Sequence, residues 1–261
     1  MSSQADPRKR EEAEFHDKLR GLYEKDPERY AYYTSNKKFY SVTDSSIAFY
    51  IGWLRQHAAG KRVLDFGCGH GPHTAQVASV AKHFTGIDIS PDSVKVATEN
   101  AAAAGLSSKT TFLVMDGENM SFAPGSFDIV SVSGVLHHMD MEAALGQIRK
   151  VLSPDGKAIF LEALADNPFI GAYRRYTPHL RTAWETAHIL HSKDAKTMRK
   201  YFKHVQVRTF HLAVLAAVPL RGTRIFGAAR TALDMVDAVI LRVPGVRSLG
   251  WMACFLLYDP V

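Results

Sequence analysis

The stretch "RVLDFGCGHGPHT", residues 62–74, decides the fold. Its first five residues are an apolar run that reads as a strand, and Pro72 sits where a helix would make its first turn. Between strand and helix stand Gly67, Gly69 and Gly71, interleaved with Cys68 and His70 and followed by His73. Strand, glycine loop, helix is the context in which backbone approaches a nucleotide, because residues without Cβ let the chain turn sharply and come close to a ligand. The competing reading is a metal centre made by Cys68, His70 and His73. A tight glycine turn scatters its side chains, and no later Cys or His pair lies at finger or ribbon spacing. No metal is therefore expected. Cys68 reads as a small packed side chain and the histidines as solvent-facing at a helix start.

Outward from this loop, strand and helix patterns alternate. "PHTAQVASVAK" reads as a helix and "HFTGIDI" as the next strand. Ser90-Pro91-Asp92 starts a helix that runs through "SVKVATENAAAAG" and stops at Gly105. "TTFLVMDG", "SFDIVSVSG" and "KAIFLEAL" read as three more strands, with the helix "MEAALGQIRKVL" between the last two. Upstream, Asp44 caps a helix through "SSIAFYIGWLRQHA", with Ile47, Tyr50, Ile51 and Leu54 on one face. Downstream, "SKDAKTMRKYF" reads as a helix capped by Ser192. "HVQVRTFHLAV" and "WMACFLLYD" read as late strands, with a helix near 225–241 between them. Regular βαβ alternation with continuous apolar strands predicts an α/β fold with a parallel sheet covered on both faces.

Two details narrow the ligand. Asp88 ends the second strand, placed to bind ribose hydroxyls. The glycine spacing, however, is G-x-G-x-G and not the dinucleotide G-x-G-x-x-G, and Asp65 lies just before it. A carboxylate repels a pyrophosphate and attracts an ammonium or sulfonium. S-adenosylmethionine carries positive charge where a dinucleotide carries phosphates. No Walker sequence is present.

With these residues the chain resembles the class I S-adenosylmethionine-dependent methyltransferases, and is most similar to the methyltransferase type 11 group, which includes ubiquinone- and menaquinone-pathway-like enzymes. "VLDFGCGHG", "GIDIS", "VMDGENMSF", "FDIVSVSGVLHHM" and "VLSPDGKAIFLE" match the family's blocks in order and at family spacing. The resemblance implies a Rossmann-like, mostly parallel seven-stranded sheet with helices on both faces and an antiparallel C-terminal strand. It implies a cofactor site of Asp65, Gly67, Cys68, Gly69, Asp88, Ile89, Asp116, Gly117, Glu118 and Ser133. Asp88 would hold the ribose, Ile89 would lie beside the adenine, Asp116 would reach the adenine amino group, and Gly117 and Glu118 would line the ring.

Methyl transfer from a sulfonium is an in-line displacement, so the protein positions the nucleophile and excludes water. A hydroxyl or acidic carbon acceptor also benefits from a base. The candidates are His138 and then His137, just after the fourth strand, because histidine titrates near neutral pH. Glu162, after the fifth strand, is a further base candidate behind the two histidines and a candidate acceptor-side residue. The segment 167–191 falls where the family carries acceptor-binding inserts. Its Tyr173, Arg174, Arg175 and Tyr176 suit an anionic or aromatic acceptor, or else form a solvated basic face. Tyr23, Tyr33 and Tyr40 belong to an aromatic-rich N-terminal stretch; Tyr33 and Tyr40 are candidates for a cap over the cofactor.

Residues 1–43 thus read as an N-terminal helical and aromatic cap, and 44–261 as the methyltransferase domain, with acceptor-side inserts at about 165–191 and 214–250. Two cysteines and a polar N-terminal stretch without an apolar core predict a cytoplasmic protein. The net charge of +6 is uneven: residues 166–261 carry 14 Lys and Arg against 6 Asp and Glu. A basic back end of this kind is either plain solvated surface or faces something anionic. The insert mixes Arg221, Arg224, Arg230, Arg242 and Arg247 with apolar residues. It reads as an extra helix packed on the core or on a second subunit, or as an interfacial helix making peripheral membrane contact through 221–247. Asp234 and Asp237 oppose the last reading. The expected partner is a small-molecule acceptor, and nucleic acid is not expected: the Asn/Asp-Pro-Pro-Tyr/Phe block of base-flipping amino methylases is replaced by "SVSGVLHH". An RNA methyltransferase, or an enzyme of this fold that binds the cofactor without transferring methyl, remains the alternative.

Overall fold

Apolar runs bounded by glycine and polar turns become β1 (Arg62–Phe66), β2 (His83–Asp88), β3 (Thr110–Val114), β4 (Phe127–Ser133), β5 (Leu152–Ala163), β6 (Phe202–Phe210) and β7 (Met252–Pro260). The computed structural model describes residues 7–11, 14, 15, 18 and 25–261, the side chains of Tyr32 and Tyr33 excepted. Its helices are labelled α1 (Pro27–Tyr33), α2 (Asp44–Ala58), α3 (Thr74–Ala78), α4 (Pro91–Ala103), α5 (Met141–Val151), α6 (Pro168–Tyr176), α7 (Ala183–His188), α8 (Ala195–Met198) and α9 (Phe226–Ile240). The chain divides into two units. Unit 1 comprises 1–47, 163–192 and 208–253, and unit 2 comprises 48–162, 193–207 and 254–261.

The seven-stranded sheet, carried mainly by unit 2, has the order β3-β2-β1-β4-β5-β7-β6. β1 to β5 pair in parallel, Asp65 lying opposite Gly86 on β2 and Ser131 on β4. β7 is antiparallel. The strand order reverses between β1 and β4, so the carboxyl ends of these strands form the crevice where open α/β sheets bind ligands. Val63, Leu64 and Phe66 of β1 and Val130 and Val132 of β4 are fully buried, as a sheet covered on both faces requires.

The local starts follow the sequence. Ser90 Oγ accepts the Ser93 N–H at the head of α4, with Pro91 in the first turn, and Gly105 follows the helix at φ +71°. Asp140 caps α5 through the Ala143 N–H, and Ala144, Leu145, Ile148 and Val151 form its buried stripe. Two helices are shorter than their patterns suggest. α3 ends at Ala78 because Lys82 N–H already bonds the Lys61 carbonyl at 2.9 Å, drawing the chain into the β1–β2 ladder. At Ser192 the backbone N–H is held by Asp166 at 2.6 Å, and a 3₁₀ turn (Ser192–Asp194) precedes the brief α8.

In unit 1 the apolar run after β6 forms a 3₁₀ helix, Ala213–Leu220. Asp237 of α9 is buried and accepts the N–H groups of Leu212, Ala213 and Val214, which would otherwise be orphaned at that helix start. Phe226, Ala229 and Leu233 of α9 pack against Val42, Val214, Ala217 and Val218. Among the described residues no helix is long and apolar enough to cross a membrane.

Candidate active site

The glycine loop leaves β1 with Gly67, Gly69 and Gly71 all at positive φ, +73°, +50° and +71°. L-residues with side chains resist this region, which is why glycine recurs here. A Cβ on Gly67 would sit 2.5 Å from Val135 Cγ2, so this glycine lets the loop pack against the segment after β4. A Cβ on Gly69 would meet nothing within 4 Å. The backbone there faces open space. Asp88, at the end of β2, fixes the loop: its Oδ2 accepts the Gly69 N–H and its Oδ1 the Ser90 N–H, both at 2.9 Å.

Asp65 is 5% exposed and accepts the hydroxyl of Ser131 on the neighbouring strand at 2.9 Å. Burial pushes its carboxyl up to about 6; the negative charge of Asp88 adds to this, while the Ser131 bond opposes it. Tyr50 of α2, fully buried, has its phenol pushed well above the ordinary range by burial and then by the charge of Asp65. A buried carboxylate facing a second carboxylate is destabilised when ionised unless a cation joins it. Open backbone at Gly69 and electronegative walls at Asp65 and Asp88 therefore fit the ammonium and ribose of S-adenosylmethionine.

The other expected cofactor residues are spread along the same strand ends. Ile89 follows Asp88 and is 41% exposed, an apolar surface suited to an adenine face. Asp116 Oδ1 accepts the Glu118 N–H, opening a 3₁₀ turn at Gly117–Asn119. Gly117 is buried where a Cβ would stand 2.4 Å from Phe66 Cζ, so close packing requires glycine there. Glu118 Oε1 accepts the Asp140 N–H. Ser133 closes β4, half-buried. Cys68 is buried, and burial pushes its thiol up. His70 is exposed, whereas His73, expected to face solvent, lies half-buried with its ring 5.5 Å from that of Tyr50, and burial lowers its pKa.

After β4 a 3₁₀ turn, Leu136–His138, presents both histidines. Glu162 was expected on the acceptor side. It is instead fully buried, with both oxygens bonded to this turn: Oε1 accepts the N–H groups of Val135 and Leu136, and Oε2 lies 2.9 Å from His137 Nδ1. The two histidine rings are 4.1 Å apart.

In unit 1, Phe39 joins Tyr173 and Trp251 edge-on at 4.8 and 5.9 Å, and Tyr40 meets Trp251 at 5.6 Å. Tyr40 and Tyr173 thus share one aromatic cluster, with Lys38 Nζ 4.8 Å above the Tyr173 ring. Arg174 turns inward and bonds the Leu164 carbonyl, and its pKa is pushed down to about 10, first by burial and then by Arg181. Arg175 and Tyr176 are exposed on α6. Tyr33 ends α1, but its side chain lies outside the described residues, as does Tyr23. Ser131 and Trp251 join these sites without having stood out in the sequence. Ser131 could have been found as the polar residue inside the apolar run of β4; nothing local marks Trp251 as the hub of the cluster.

Comparison with known proteins bears on the same segment. Residues 64–160 match the family described as "Methyltransferase domain". The chain is 32% identical over 120 residues to O-methyltransferase cnsE of Penicillium expansum, covering 45% of this chain and 44% of that protein. It is 30% identical over 122 residues to the ubiquinone biosynthesis O-methyltransferase of Bordetella parapertussis, covering 45% and 50%. The chain thus spans about half the length of the curated relatives it matches. A phosphoethanolamine N-methyltransferase 2 from Haemonchus contortus, solved with S-adenosyl-L-methionine, shares the fold at a TM-score of 0.58 and 17% identity, over 93% of this chain and 60% of that one. Residues 64–160 thus match a methyltransferase domain in sequence, and their strand order and glycine loop are similar to those of class I S-adenosylmethionine-dependent methyltransferases.

Proposed function

We propose that the protein transfers a methyl group from S-adenosylmethionine to an oxygen of a small organic acceptor. The observation that carries this reading is the loop at 65–71. It offers a buried carboxylate with its pKa raised to about 6, open backbone at Gly69 and the ribose-facing carboxylate of Asp88. The bound cofactor supplies an electrophilic methyl on a sulfonium; the chain has to hold it, orient the acceptor and keep water out. Asp65 takes the ammonium end, Asp88 the ribose hydroxyls, and Ile89 with the turn at Gly117 the adenine. The O-methyltransferase names of both quoted relatives favour an oxygen acceptor.

The base we assign is His137, with Glu162 as the residue that positions it. An ionised carboxylate only accepts, so His137 must carry its proton on Nδ1 and leave the Nε2 lone pair for the acceptor. The hydroxyl proton passes to Nε2 as the new oxygen–methyl bond forms. His138 shapes the same turn.

Isothermal titration of the full chain with S-adenosylmethionine and S-adenosylhomocysteine tests the cofactor assignment, and an Asp88→Ala variant should lose most of the affinity. Deuterated-methyl cofactor, incubated with a panel of phenols, aliphatic alcohols and amines, then identifies the acceptor by mass. Absence of binding to either cofactor form would overturn the reading, and so would methylation confined to amines.

A further inference from the structure

Apart from Thr231, the water-facing side of α9 lacks the polar residues that such a side needs. Ala228, Ala232, Met235, Val236, Ala238 and Val239 are all exposed, Met235 by 62% and Val239 by 65%. Ile225 before the helix and Val243 after it extend the same apolar surface, at 59% and 50% exposure. A helix lying on a soluble core normally turns charged residues to water. All three charged residues of α9 are turned elsewhere. Arg230 pairs with Asp44 at 2.6 Å, Asp234 accepts the Ser45 hydroxyl at 3.1 Å, and Asp237 is buried on three backbone N–H groups. The two aspartates that opposed an interfacial reading of the sequence thus do not lie on the exposed face.

The charges that flank this face are all of one sign. Arg221 and Arg224 precede α9, Arg242 and Arg247 follow it, and all four are exposed. Asp234 and Asp237 are the only acidic residues between 221 and 250. An uncharged apolar strip about 22 Å long, the length of a 15-residue helix, therefore runs between two pairs of guanidinium groups. This is the pattern of a helix that lies in a bilayer surface, its apolar side at the headgroup and acyl boundary and its cations on lipid phosphates. A second copy of the chain would bring four further arginines to the same rim.

We propose that the exposed face of α9, with Arg221, Arg224, Arg242 and Arg247, docks this protein on an anionic lipid surface. This does not depend on the methyl-transfer reading. The test is co-sedimentation of the full chain with vesicles of phosphatidylcholine alone and of phosphatidylcholine mixed with phosphatidylglycerol. Binding is expected to the mixed vesicles and to weaken as salt rises. Met235→Glu with Val239→Glu should abolish it. Arg224→Ala with Arg242→Ala should weaken it roughly fivefold per arginine removed. Both double variants change exposed side chains, and unchanged thermal melts would confirm that they fold. Failure of the native chain to bind mixed vesicles would overturn the proposal, as would undiminished binding by Met235→Glu with Val239→Glu. A concentration-dependent dimer without lipid, broken by that same variant, would assign the face to a second copy instead.

Discussion

Glu162 Oε2 lies 2.9 Å from His137 Nδ1, while its other oxygen holds the N–H groups of Val135 and Leu136. One buried carboxylate therefore holds the path of the turn after β4 and, on the proposed reading, sets the tautomer of its first histidine. Glu162→Gln separates these roles. The amide oxygen still accepts the two backbone donors, but the amide nitrogen donates to Nδ1 and moves the ring proton to Nε2. The expected result is a loss of roughly 100-fold in kcat on a hydroxyl acceptor, the lower end of what a base contributes, with affinity for S-adenosylhomocysteine little changed. Nitrogen NMR of the histidine rings, with His137 assigned by its loss in a His137→Gln variant, reads the tautomer without any acceptor. The same tautomer in both proteins would disprove the positioning role.

With Asp65 as the proposed ammonium partner, cofactor binding is expected to depend on pH. Its folded pKa of about 6 stands above the ordinary 3.8, so its contribution to the stability of the free protein is full below 3.8 and lost as pH rises through 6. A ligand ammonium needs the ionised form. Affinity for S-adenosylhomocysteine should therefore fall as pH drops below 6, approaching tenfold per unit. Asp65→Asn removes an ionised buried group costing up to about 3 kcal/mol at pH 8. It should raise the melting temperature of the free protein there while weakening the ligand at least about tenfold. A flat affinity profile between pH 5 and 8, measured calorimetrically, would rule out Asp65 as the ammonium partner.

His211 acts over an overlapping window with the opposite sign. It is fully buried at φ +65°, its Nε2 is 2.8 Å from Ser46 Oγ, and burial pushes its pKa down to about 4. Ser46 already donates its hydroxyl to the Thr43 carbonyl, so the ring donates to Ser46. Its folded pKa is depressed, so its contribution is complete above 6.5 and lost as pH falls through 4. His211→Asn tolerates the left-handed backbone and cannot take up the proton. Its melting temperature should decline less than that of the native protein between pH 7 and 4; an equal decline would assign the acid sensitivity elsewhere.

The parallel core was legible because strands covered on both faces are written as continuous apolar runs. "RVLDF" and "FDIVSVS" could hardly be anything else, and the cap at Ser90 and the stop at Gly105 each act within one turn of chain. α3 and the helix after Ser192 are shorter than their sequence patterns because their ends are set by non-local bonds, Lys82 to Lys61 and Ser192 to Asp166. In the site, Asp65 and Asp88 could be read from their distance to the glycines. Glu162 could be placed on its strand but not in its role, since the histidine it holds is 25 residues away in sequence. The same limit applied to Asp234 and Asp237: composition counts their charge, and only the packed helix shows which way they face.

Gly67 and Gly69 should respond differently to the same methyl group. Both have positive φ, so alanine costs backbone strain at each, about 1 kcal/mol at least. At Gly67 the new Cβ also strikes both γ-carbons of Val135, at 2.5 and 2.6 Å, and Val135 is anchored through its N–H to Glu162. The clash reaches the turn that carries His137, and Gly67→Ala should lower the melting temperature by several degrees. At Gly69 nothing stands within 4 Å. Gly69→Ala should keep the fold with a smaller thermal penalty and yet lose most of its affinity for S-adenosylhomocysteine, because the methyl would project into the space the proposal assigns to the ligand. Paired thermal melts and calorimetric titrations separate the two. If Gly69→Ala binds as tightly as the native chain, the open side of the loop is not where the cofactor lies.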